Sequence, residues 1–77
     1  MSDSIQIFEN GVYAGDGDLL QTANGTRYVA NCPAELGSNS AECEGAYEAI
    51  DAAINAGADY AMAAGNRYTW TIDEGQS

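Results

Sequence analysis

The chain has 77 residues and carries a net charge of -10, with two arginines and no lysine or histidine against twelve acidic residues. A chain this short has room for one hydrophobic core, so residues 1–77 are expected to form a single small domain. With Arg27 and Arg67 as its whole cationic complement, it is excluded from binding nucleic-acid phosphates directly and from adsorbing to membranes as a basic helix.

In chain order, Met1-Ser2-Asp3-Ser4 lacks the basic region of a secretory signal, and no apolar run reaches the length of a signal core or membrane span. A cytoplasmic location follows as the expectation. Ile5, Phe8 and their neighbours form a β-prone run, and Asn10-Gly11 is the strongest short hairpin signal. Val12-Tyr13-Ala14 then returns beside it. Gly15-Asp16-Gly17-Asp18 reads as a break and an exposed turn, after which Leu19 to Thr22 starts another segment. Asn24-Gly25-Thr26 matches a glycosylation sequon but reads more simply as a second turn, leading into a strand through Ala30. On that strand Tyr28 and Ala30 share one face, Arg27 and Val29 the other. Two long strands or four short ones satisfy this half of the chain equally.

Cys32-Pro33 ends the strand, and the polar stretch to Ser40 reads as a loop. Ser38 or Ser40 is placed to cap a helix over 41–56, with Glu42 and Glu44 near its positive end. At 100° per residue, Cys43, Ala46, Tyr47, Ile50, Ile54 and Gly57 form the core stripe, and Gly57 suits the C-cap. Strand period returns at Tyr60 and Met62. Gly65-Asn66 reads as a turn, and Tyr68, Trp70 and Ile72 then alternate with polar residues. Residues 73–77 are expected to fray. The fold class is α+β: a small antiparallel sheet of short strands with one helix on one face, in the order strands, helix, hairpin.

Charged residues make up 18% of the chain, below the roughly 25% of ordinary soluble domains. The protein is acidic because its bases are missing, a composition also found in halophilic proteins. Self-repulsion at this charge lowers stability at low salt. Leu, Ile, Val and Phe are scarce and fourteen residues are alanine, so the core is thin and aromatic residues are expected to supply much of its buried area. Five tyrosines, Trp70 and a single proline argue against disorder.

The catalytic inventory is close to empty. Without histidine or lysine the commonest general base and the amine nucleophile are missing, and the expectation is a protein that is not an enzyme and holds no cofactor. Asp16-Gly17-Asp18 resembles part of a calcium loop but lacks the full acidic spacing and closing glutamate. Cys32 and Cys43 make half a zinc ligand set, so no metal is expected. The two read as small buried thiols, close enough to the same loop for a disulfide to form on oxidation.

What remains is acidic surface. Glu44, Glu48, Asp51 and Asn55 fall within an arc of roughly 60° on the helix flank, without a lysine among them. Gly45, Ala49, Ala52 and Ala56 form a smooth strip opposite. Glu42, Asp16, Asp18, Glu35 and the Asp73-Glu74 tail add charge elsewhere, and Tyr47 or Tyr13 is available as an apolar anchor. Carboxylates held on a rigid surface stand in for phosphates, so the expected partner is a Lys/Arg-lined protein surface that normally holds nucleic acid. A -10 subunit resists pairing with itself, which favours a monomer.

In size, charge, empty catalytic inventory and the Glu44/Glu48/Asp51 helix face, the chain resembles phage anti-CRISPR proteins of the nucleic-acid-mimicking kind, inhibitors of type I-C systems in particular. That resemblance implies binding to a Cas subunit of the RNA-guided Cascade complex and blockage of target-DNA recruitment. The other reading is a small acidic interaction module, or an antitoxin-like partner of a basic protein.

Overall fold

The computed structural model describes residues 3–32, 34, 36, 37 and 39–73. Five strands and one helix follow in the order β1 (Asp3–Glu9), β2 (Val12–Gln21), β3 (Arg27–Ala30), α1 (Ser40–Ala56), β4 (Ala61–Ala63) and β5 (Asn66–Asp73). All pairings are antiparallel, in the spatial order β3-β2-β1-β5-β4. The sheet curls, and α1 lies on its concave face with its backbone nearest the edge strands β3 and β4. The α+β class and the order of strands, helix and hairpin are those expected from the sequence.

The first half resolves into one short and one long strand before β3. Asn10 and Gly11 take positive φ of 51° and 85°, the primed-turn geometry that matches strand twist. The Gly15-Asp16-Gly17-Asp18 segment is neither a break nor a turn: β2 runs through it for ten residues. Ile7 pairs with Gly15 and Phe8 with Tyr13, so Ala14 is the extra residue of a bulge. Gly15 and Gly17 lie opposite Ile7 and Ile5 on the concave face. A Cβ on Gly17 would stand 2.6 Å from Cys32 Cβ and 2.8 Å from the Ala30 oxygen, and one on Gly15 would stand 2.8 Å from Ala34 Cβ. The missing side chains let the segment after β3 cross directly over β2.

That crossing segment belongs to the core. Ala34 and Leu36 are buried, with Leu36 fully enclosed among Ile5, Ile7, Leu19, Ala46, Ile50, Ala61 and Tyr68. The polar stretch that reads as a plain loop therefore carries an apolar plug. Tyr68 is the sole fully buried aromatic residue among those described, while Trp70 and Tyr47 pack at the margin. The core is aliphatic around one tyrosine, less aromatic than composition suggests.

The helix starts at Ser40 with Asn39 as its N-cap, its side chain accepting from the Glu42 N–H at 3.1 Å. Asn39 has extended backbone angles and a short side chain that reaches the free N–H, which Ser40, already helical, cannot do. Ser38 lies outside the described residues. Asn39→Ala is expected to lower stability by about 1 kcal/mol, measured as a shift of the urea midpoint at unchanged slope. Gly57 caps the other end at φ 79°, with its N–H on Ile54 O and the Ala58 N–H on Ala53 O. Of the predicted stripe, Ala46 and Ile50 are fully buried, and Cys43, Tyr47 and Ile54 pack beside them with Ala49 and Ala53.

The final hairpin turns at Ala64-Gly65 rather than Gly65-Asn66. Both take positive φ, and Asn66 already belongs to β5. Asp73 pairs with Ser4 and so ends a strand rather than beginning a tail; residues 74–77 of the expected tail lie outside the described residues.

Candidate partner-binding surface

Helix α1 turns Ala41, Glu44, Glu48 and Ala52 to solvent. Glu44 and Glu48 sit one turn apart and, among the described residues, have no hydrogen-bond or ion-pair partner. Asp51 does not continue their row. Its Oδ1 accepts from the Val29 N–H at 3.0 Å. Asn55 works beside it: Oδ1 accepts from the Arg27 N–H at 2.8 Å, and Nδ2 donates to the Arg27 carbonyl at 2.9 Å. The reason lies in the sheet. β3 is an edge strand, and Arg27 and Val29 direct their backbone groups away from β2. Unpaired edge groups need partners, and the adjacent helix flank supplies them. Burial raises the Asp51 pKa above its ordinary value, with the Val29 N–H pulling the other way. The carboxylate closes a sheet edge and is withdrawn from the expected contact row.

Glu42 and Tyr47 sit at the strand-to-helix junction. Glu42 is half-buried in the first turn, and a Cβ on Gly37 would stand 2.6 Å from its own Cβ. The Tyr47 hydroxyl is shared between the Cys32 and Ala34 carbonyls at 3.1 and 2.8 Å. Its pKa is pushed far up, first by burial and then by its interaction with Cys32, so it is a neutral tether for the crossing segment rather than a free anchor. Cys43 Sγ lies 3.8 Å from the Ala34 oxygen, and Cys32 and Cys43 are both free thiols. Leu36, Asn39, Cys43, Glu44 and Tyr47 line a groove of about 510 Å³ here. Glu9, which the sequence did not single out, accepts from the Gly37 N–H at 3.0 Å and fastens the same junction to β1.

Asp16 and Asp18 lie on the opposite side of the molecule. Both project from the convex face of β2, where Asp16 accepts from the Tyr13 hydroxyl at 2.6 Å and Asp18 from Asn31 Nδ2 at 3.0 Å. The bond to Asp16 is the main reason that the Tyr13 pKa is raised. Tyr13 itself is exposed and packs edge-on against Phe8 at 5.8 Å between ring centres. The candidate contact residues thus lie on two faces, Glu44 and Glu48 on the helix and Asp16 and Asp18 on the convex sheet, with Asp51 and Tyr47 turned inward.

Both cations are engaged within the chain. Arg27 pairs with Asp3 at 3.2 Å, and Arg67 stacks over the Tyr60 ring at 5.0 Å. By contrast, Glu44, Glu48, Asp59 and Asp73 have no partner among the described residues. Asp73, which local patterning puts in a tail, ends β5. The cross-strand pairing that brings it beside Ser4 depends on which strands are neighbours, which local patterning does not encode. Glu35 and Glu74 lie outside the described residues.

Among the described residues no three or more His, Cys, Asp or Glu side chains are grouped to hold a metal ion, and no helix is long and apolar enough to cross a membrane. No protein-family model, curated protein or solved structure matches the chain.

Proposed function

We propose that the protein is an anti-CRISPR inhibitor that occupies a Lys/Arg-lined surface of a Cascade complex in place of target DNA. The observation that carries this reading is the division of its charges. Both arginines are tied to neighbours within the chain, while several carboxylates stand exposed without partners. A net charge of -10 on 77 residues creates a long-range field of the same sign as a nucleic-acid strand, which speeds approach to a basic groove and repels other acidic surfaces. Helix α1 holds Glu44 and Glu48, and strand β5 holds Asp73, on regular backbone, so little ordering is required on binding.

Competition tests the proposal. A labelled target duplex is added to guide-loaded type I-C Cascade that has been incubated with the protein, and binding is read by fluorescence anisotropy. The duplex is expected to be excluded, and raising salt from 50 to 300 mM should weaken the inhibitor on the order of tenfold or more. Full duplex binding at saturating inhibitor sinks the proposal and favours an acidic module for some other basic protein.

A further inference from the structure

The helix covers the concave side of the sheet, and no described element packs against the convex side. Register assigns what lies there. Ser4 pairs with Asp18 on β2 and with Asp73 on β5; Gln6 pairs with Asp16 and with Thr71. Two carboxylates therefore flank Ser4, two strand spacings apart at about 9–10 Å, and Asp16 follows Asp18 along β2 at about 7 Å. The patch between them is filled by uncharged Ser4, Gln6 and Thr71, all exposed. Neither arginine neutralises it: Arg27 faces the concave side with Asp3, and Arg67, though on the convex face, lies beside Met62 at the far end of β5, stacked over Tyr60.

Apolar side chains stand around the carboxylates on the same face. Tyr28, paired with Leu20, is 37% exposed, and Tyr13, paired with Phe8, is 56% exposed. Tyrosine is enriched at interface centres, and the carboxylates around it set the sign of the partner's charge. The carboxylates are also held in place, Asp16 by Tyr13 and Asp18 by Asn31. Preset groups lose less freedom on docking. The α1 row has none of this. With Asp51 turned to β3, it presents two glutamates between Ala41 and Ala52, with no exposed aromatic residue on the helix.

We infer that the convex face of the sheet, centred on Asp16, Asp18 and Asp73 with Tyr28 and Tyr13, is the surface that docks on a Lys/Arg-rich protein partner. The occupant is identified by charge complementarity: a three-carboxylate patch without a free cation fits two or three arginine or lysine side chains, and the tyrosines fit their aliphatic stems and guanidinium planes. The class of partner rests on the proposed function; the choice of face does not.

A nona-arginine peptide serves as the probe. Titrated into ¹⁵N-labelled protein at 0.15 M salt, it is expected to move the amide signals of Gln6, Asp16, Asp18, Tyr28 and Thr71. Movement confined to the turns around Glu44 and Glu48 overturns the inference. The combined substitution Asp16→Asn, Asp18→Asn and Asp73→Asn should weaken peptide binding about tenfold, while Glu44→Gln with Glu48→Gln should change it about twofold or less. The reverse ranking also overturns it. If the triple variant melts early, the titration of the unaltered protein still decides. Sedimentation equilibrium without peptide checks the other occupant: a dimer abolished by Tyr28→Lys would assign this face to a second copy. Failure to exclude duplex from Cascade would sink the functional proposal and leave the peptide map unaffected.

Discussion

Gly17→Ala is expected to lower the melting temperature by about 10–20 °C, from a loss of about 2–3 kcal/mol. The added methyl group would stand 2.6 Å from Cys32 Cβ and 2.8 Å from the Ala30 oxygen, distances at which the backbone itself must move. The crossing segment cannot simply lift, because it is fixed at both sides. Tyr47 holds the Cys32 and Ala34 carbonyls, and Leu36 is enclosed in the core. Lifting it would strip Leu36 of its neighbours and open a void against Ile5 and Ile7, which is itself costly. Gly45 provides the control. A Cβ there meets nothing within 4 Å, so Gly45→Ala should stabilise the helix by about 0.5–1 kcal/mol. Thermal unfolding followed by circular dichroism measures both. Equal melting temperatures for the Gly17 variant and the parent would show that the segment does not press on β2 as described.

At Asp51 the expected result depends on pH and on which atom is removed. Asp51→Ala leaves the Val29 N–H without its acceptor and should lose about 1–2 kcal/mol. Asp51→Asn keeps an oxygen for that N–H and removes the charge that burial disfavours, so at pH 7 it should be at least as stable as the parent. The sign follows from the raised pKa. A carboxyl that holds its proton more tightly when folded than its ordinary 3.8 contributes stability that is full below that value and is lost as pH rises through the folded value. The parent should therefore gain on the Asn variant during acidification, until the difference closes near or below about pH 4. Relief of the overall -10 charge acts in the same direction in both proteins and cancels in the comparison. Urea unfolding at a series of pH values reads the difference; a gap that does not change with pH would refute the burial of charge at this site.

Local patterning made much of this fold legible. Asn10-Gly11, the alternation of Tyr68, Trp70 and Ile72, and the 3.6-residue spacing of Ala46 and Ile50 each act within a few residues, and each is found where expected. The misreadings arise where a distant part of the chain overrides local preference. Gly15 and Gly17 look like breakers until Cys32 and Ala34 are laid across them. Asp51 looks like part of a solvated row until the free edge of β3 lies against it. The candidate surface divides in the same way. Glu44 and Glu48 can be placed outward from helical period alone, whereas Asp73 joins Asp18 only through the neighbourhood of β1 and β5.

The sheet order has a consequence for how the protein comes to be folded at all. Its two central neighbours, β1 and β5, come from opposite ends of the described chain. During synthesis β1 to β3 and the helix emerge first, but Ile5 and Ile7 keep one side of their strand unpaired until residues 66–73 leave the ribosome. Such end-to-end pairing demands closure of nearly the whole chain and slows folding relative to a fold built from local contacts. A nascent acidic chain repels its own copies during that interval, and the same net charge then keeps half-made sheets apart until the last strand closes them.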